Sequence, residues 1–174
     1  MQRKSEKLRE ATLGPLFFYM EFKAQVEELL SQALEEQPEL FLIGFNVGLD
    51  RSVQVVLDGD KGVRLQDCMA VSRYIEHQLD REEQDFSLEV TSVGVGSPLQ
   101  LPRQYQKNIS RQLEIEDLDG KRFKGTLIEA DQNQCTLQWK QREPKPIGKG
   151  KHTVEKKEQF TYTQIKRAKV LVQF

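Results

Sequence analysis

The sequence predicts an α+β protein: an α-β-β-α-β first half, with two helices on a three-stranded sheet, and a second half that closes into a small β-barrel. Three observations carry that expectation. Apolar residues recur with helical and strand periods in turn up to about residue 92, and with a period near two after residue 104. Between these regions, Ser92 to Arg103 contains Gly94, Gly96, Pro98 and Pro102, the composition of a linker. The charge also changes sign there. Residues 1–98 hold 10 Lys and Arg against 18 Asp and Glu, a net −8, while residues 99–174 hold 16 against 9, a net +7. The expected organisation is a flexible extension over 1–19, an α/β domain over 20–92, a linker over 93–103 and a barrel domain over 104–174.

The first helix is read from Met20, because Phe22, Val26, Leu29, Leu30, Ala33 and Leu34 form one apolar stripe and Pro38 ends it. Leu40 to Val47 is a strand with Phe41, Ile43, Phe45 and Val47 on one face. A turn at Gly48–Arg51 leads into the return strand, whose inner face is Val53, Val55 and Leu57. After the turn at Asp58–Gly62, a second helix runs from about Leu65 to Leu79. Its stripe is Leu65, Cys68, Val71, Ile75 and Leu79, and Asp67 in its first turn complements the helix dipole. Phe86, Leu88 and Val90 alternate as the third strand.

In the second half, Leu113 and Ile115 alternate with Glu114 and Glu116, and Asp119-Gly120 turns the chain. Phe123, Leu127 and Ile128 lie on a longer strand that Gly125 bends. Cys135, Leu137 and Trp139 form the next inner face, which places Trp139 in the core. Residues 141–157 read as a loop rich in Pro, Gly and Lys, and the last strand ends with Val170, Val172 and Phe174. Five short, bent antiparallel strands favour closure, because a closed barrel leaves no free edge.

Composition and spacing argue against catalysis. Cys68 and His77 share a helix, but nine positions at about 100° each put them on roughly opposite faces, out of hydrogen-bond reach. Cys68, His77, Cys135 and His152 are too scattered for the paired ligands of a zinc site. Gly94-Val95-Gly96 is followed by Ser97-Pro98 and not by a helix N-terminus, so it is a turn and not a phosphate loop. No cofactor and no metal are expected. No run approaches the roughly 20 apolar residues of a membrane-spanning helix. The two cysteines are far apart and fit reduced thiols in the cytoplasm.

Binding to nucleic acid is better supported. The 141–157 segment carries Arg142, Lys145, Lys149, Lys151, Lys156 and Lys157, while Lys121, Arg122 and Lys124 sit at a neighbouring turn. Lys166, Arg167 and Lys169 open the last strand. Such cations contact phosphates without reading sequence. Solvated lysines that serve solubility are the plain alternative.

Asp67-Cys68, Ser72-Arg73 and Leu79-Asp80 on the second helix precede Leu88-Glu89-Val90-Thr91-Ser92, then Gly94 and Pro98-Leu99. This pattern resembles the ribosome maturation factor family RimP over about residues 20–174, with Thr91 and Val93 as mild departures. The resemblance implies an α/β domain followed by an Sm-like or SH3-like barrel. It implies a factor that binds the precursor of the small (30S) ribosomal subunit, and a cytoplasmic monomer is expected. Its rRNA and a basic ribosomal protein at the decoding centre would be the partners. Asp67, Ser72, Arg73, Asp80, Glu89, Ser92, Gly94 and Pro98 would then be mainly structural. An Sm-like module acting on other RNAs is the alternative.

Overall fold

A computed structural model describes residues 14–79 and 85–172. Among the described residues the fold is α+β, with three α-helices and two sheets, and the chain divides into two compact units between Val93 and Gly94.

In the first unit, helix α1 spans Pro15–Glu35. It starts five residues before Met20 because Pro15 occupies the first turn, where a missing N–H costs nothing. Phe22, Val26, Leu29, Leu30 and Ala33 are buried, as their spacing predicts, while Leu16, Phe17 and Met20 remain exposed. Strands β1 (Leu40–Val47), β2 (Ser52–Gly59) and β3 (Ser87–Ser92) form one sheet in the order β1-β2-β3. The first pair is antiparallel and the second parallel. The parallel step is possible because helix α2 (Leu65–Gln78) supplies the crossover.

The alternation expected along β1 breaks at its middle. The register slips between Leu42 and Gly44, leaving Ile43 as an extra residue. A bulge exchanges the two faces of a strand beyond it. Leu40 and Leu42 therefore reach the core before the bulge and Phe45 and Val47 after it, whereas Phe41 and Ile43 are outside that cluster. On β2, Val53, Val55 and Leu57 are buried without exception. On α2, Cys68, Val71, Ile75 and Leu79 are buried, but Leu65 is 77% exposed. Leu65 is the first residue of the helix, and Arg64 before it carries the cap: its N–H donates to Asp67 Oδ2 at 2.8 Å.

The second unit begins with a turn in which the Ser97 N–H donates to the Gly94 carbonyl at 3.1 Å, with Gly96 at φ +75°. Leu99, inside the segment expected to be a linker, already donates its N–H to the Ala168 carbonyl at 2.8 Å and packs on the second core. A short helix that periodicity did not predict, α3 (Pro102–Lys107), follows. Gln104 Oε1 accepts from the N–H groups of Gln100 and Leu101 at 2.7 and 3.1 Å, which fixes its first turn.

Strands β4 (Gln112–Asp117), β5 (Arg122–Ala130), β6 (Gln134–Pro144), β7 (Lys151–Thr161) and β8 (Ile165–Val170) make an antiparallel sheet in the order β7-β6-β5-β4-β8. Leu113, Ile115, Leu127, Cys135, Leu137, Phe160 and Ala168 are buried on one face, covered in part by Tyr105 of α3. The expected closed barrel is not found: β7 and β8 are the two edges, and no ladder joins them among the described residues. A one-turn 3-10 helix, Tyr162–Gln164, carries the chain from β7 to β8, which pairs with β4 at the other side of the sheet.

The loop expected over 141–157 is also corrected. β6 continues to Pro144 and β7 starts at Lys151, pairing residue for residue from Gln134–Thr161 to Pro144–Lys151, and the turn between them holds only 145–150. In the outer half of this hairpin one side is exposed and the other only half-buried, at Glu143, His152, Val154 and Lys156, so only a weak apolar period marks it.

Candidate nucleic-acid interface

Residues directly opposite in an antiparallel ladder share a face of the sheet. The pairs Glu114–Lys124, Glu114–Lys169, Glu116–Arg122 and Glu116–Arg167 therefore lie together on the face opposite the core. Thr126 opposite Gln138 extends that face to β6, and Gln138 opposite Lys157 extends it to β7. Alternation then adds Lys140, Arg142, Glu155 and Lys151. One face thus gathers eight cations (Arg122, Lys124, Lys140, Arg142, Lys151, Lys157, Arg167 and Lys169) against four carboxylates, Glu114, Glu116, Glu129 and Glu155.

The two central carboxylates on β4 organise part of it. Glu114 receives Lys124 at 3.0 Å and Lys169 at 3.3 Å, and Glu116 receives Lys166 at 2.8 Å and Arg122 at 3.3 Å. Hydrogen bonds from Lys124 and Lys169 hold the Glu114 carboxyl below its ordinary range, and the bond from Lys166 does the same for Glu116. Lys140, Arg142, Lys151, Lys157 and Arg167 make no ion pair among the described residues and are the cations free to meet phosphate.

The nine cations singled out from sequence therefore separate into groups. Arg122, Lys124, Arg142, Lys151 and Lys157 are on the basic face. Lys121 precedes β5 in its turn, and Lys145 and Lys149 are in the hairpin turn. Lys156 lies on the other side, opposite Trp139, with its ammonium 2.8 Å from Glu143. Sequence reasoning missed Lys140, although extending the β6 alternation past Trp139 would have placed it beside Gln138 and Arg142. Trp139 itself is half-buried against Phe123, with ring centroids 6.0 Å apart, and belongs to the margin of the core.

Of the motif residues, Asp67 caps α2, with Arg64 Nη2 2.9 Å from Oδ1. Ser72 is half-buried and Arg73 exposed on that helix; Glu89 and Ser92 are exposed on β3; Gly94 opens the turn; Pro98 is exposed. Asp80 lies outside the described residues.

Neither cysteine is a ready nucleophile. Burial pushes the Cys135 thiol up to about 12 and raises that of Cys68 as well. Among the described residues, no group of three or more His, Cys, Asp or Glu side chains is placed to hold a metal ion. Among the same residues, no helix is long and apolar enough to cross a membrane.

The RimP N-terminal domain family model matches residues 24–96. The chain is 53% identical over 152 residues to the ribosome maturation factor RimP of Christiangramia forsetii, covering 87% of this chain and 99% of that protein. The protein of the same description from Flavobacterium psychrophilum is 48% identical over 155 residues, covering 89% and 100%. That from Porphyromonas gingivalis is 35% identical over 106 residues, covering 61% and 69%.

Proposed function

The chain belongs to the RimP family of ribosome maturation factors, and from that premise we propose that it binds precursor rRNA of the small (30S) subunit through the basic face of its second sheet. The observation that carries this reading is the gathering of eight cations on one sheet face, five of them unpaired among the described residues. Backbone phosphates are spaced along a strand, and an extended row of cations meets several at once. The factor acts by holding and releasing a site on the precursor, as a monomer in the cytoplasm, without bond chemistry. The half of the sequence that carries net −8 engages a basic ribosomal protein near the decoding centre, since an acidic surface attracts such a protein and repels phosphate.

The test is co-sedimentation with small subunits. A triple variant, Lys140→Glu, Arg142→Glu and Lys157→Glu, should lose most of its binding, and the salt dependence of what remains should fall by about one unit of log–log slope per cation replaced. Lys156→Gln, on the opposite side, should bind as the natural protein does. Undiminished binding by the triple variant overturns the reading.

A further inference from the structure

On the same basic face, a cavity of about 500 Å³ opens between β4, β5 and β6. We infer that this cavity takes one unpaired nucleotide of the bound RNA, an inference that rests on the RNA-binding reading and adds a site to it. Its size lies within the roughly 300–1,000 Å³ of ordinary small-ligand sites. Lys124 of β5 and Lys140 of β6 stand on its wall, and Lys140 makes no ion pair among the described residues. Ile128 and Leu171 give it an aliphatic lining. Ile128 reaches it because the β5 register slips between Leu127 and Glu129, which turns an extra apolar residue out of the core.

Its polar groups suit a base edge. The Gln112 amide and the Thr126 hydroxyl make no side-chain hydrogen bond among the described residues, and Gln138, which donates Nε2 to Glu155, keeps its Oε1 as an acceptor. Carboxamides offer a donor and an acceptor side by side, the pattern that base edges present. A duplex keeps its bases stacked inside and could touch the cavity only with its backbone, whereas an unpaired nucleotide can enter. Against the one carboxylate on the wall, Glu155, the two lysines Lys124 and Lys140 leave the lining net cationic, which disfavours a basic peptide and favours the phosphate attached to that nucleotide.

The experiment compares the full chain's affinity for a short single-stranded RNA and for an RNA duplex of the same length at fixed salt. Replacing Gln112→Leu with Thr126→Val removes the free polar groups at similar size. Thr126→Phe fills the space instead. Each should weaken single-strand binding about ten-fold, the loss expected for one or two hydrogen bonds, leave duplex affinity within about two-fold, and keep the salt slope. Unchanged duplex affinity also reports that the variant is folded. Single-strand affinity that does not fall, or an equal fall on both RNAs, overturns the cavity inference. Failure of the underlying reading looks different: the Lys140, Arg142 and Lys157 charge reversals would then leave both RNAs untouched, or the natural protein would bind neither.

Discussion

Gly125 on β5 runs so close to Gln138 on β6 that a Cβ built on the glycine would lie 2.7 Å from the Gln138 carbonyl oxygen. No side chain fits there, because the obstacle is backbone within a hydrogen-bonded ladder. Gly125→Ala must push β5 and β6 apart and is expected to cost about 1–3 kcal/mol, the usual penalty for overpacking. Urea unfolding of the full chain measures it, and a loss below about 0.5 kcal/mol would show that the strands have room.

Asp67 is the residue of the family pattern whose work is most visible. Its Oδ2 accepts the Arg64 N–H at 2.8 Å and its Oδ1 accepts from the Arg64 guanidinium at 2.9 Å, so it satisfies a donor that the start of α2 leaves without an intrahelical partner. Asp67→Ala should lower the thermal midpoint of the first unit by about 4–8 °C. RNA affinity should not change. Loss of RNA binding without loss of stability would make Asp67 a contact residue and not a cap.

The parts of this fold legible in the sequence are those in which one face alone is buried. The stripes of α1 and α2 and the alternation Val53, Val55, Leu57 are read directly because burial selects apolar residues at a fixed period. The reading of β1 failed at Ile43, where a bulge exchanges the faces and alternation carries the wrong parity forward. Helix α3 was missed because six residues that begin with proline are too short to show a period. The β6–β7 hairpin was missed because, beyond Trp139, one side is exposed and the other only half-buried, with Val154 its one aliphatic residue, so burial selects little by apolarity. The site was half legible for the same reason. Charge counts announced a basic half, but only the register shows that Lys156 looks one way while Lys140, Arg142 and Lys157 look the other.

The ion pairs at the centre of the basic face make stability depend on acid pH. Glu114 and Glu116 have folded-state pKa values below the ordinary 4.5, so their contribution is present above that value and is lost as pH falls through the folded values. The thermal midpoint should therefore fall as pH drops below about 4.5, and fall less in a Glu114→Gln, Glu116→Gln variant. Identical pH profiles for the two proteins would show that these pairs contribute nothing.

The same two carboxylates bear on RNA affinity, in the opposite sense. Each holds two cations, Lys124 and Lys169 on Glu114, and Arg122 and Lys166 on Glu116. While so held, these cations are partly neutralised and offer phosphate less than the five unpaired ones do. A factor that must leave its site benefits from this restraint, because a fully cationic face would bind any RNA too tightly to release it. Removing the carboxylates in Glu114→Gln, Glu116→Gln releases the four cations without touching them. Affinity for duplex RNA should rise, and its dependence on salt should steepen by about 0.7–0.9 of a log–log unit for each further phosphate that the face neutralises. Titration of a labelled duplex at several salt concentrations measures both. A variant with unchanged affinity and slope would place the RNA on the hairpin end of the face, around Lys140, Arg142, Lys151 and Lys157, and away from β4 and β8.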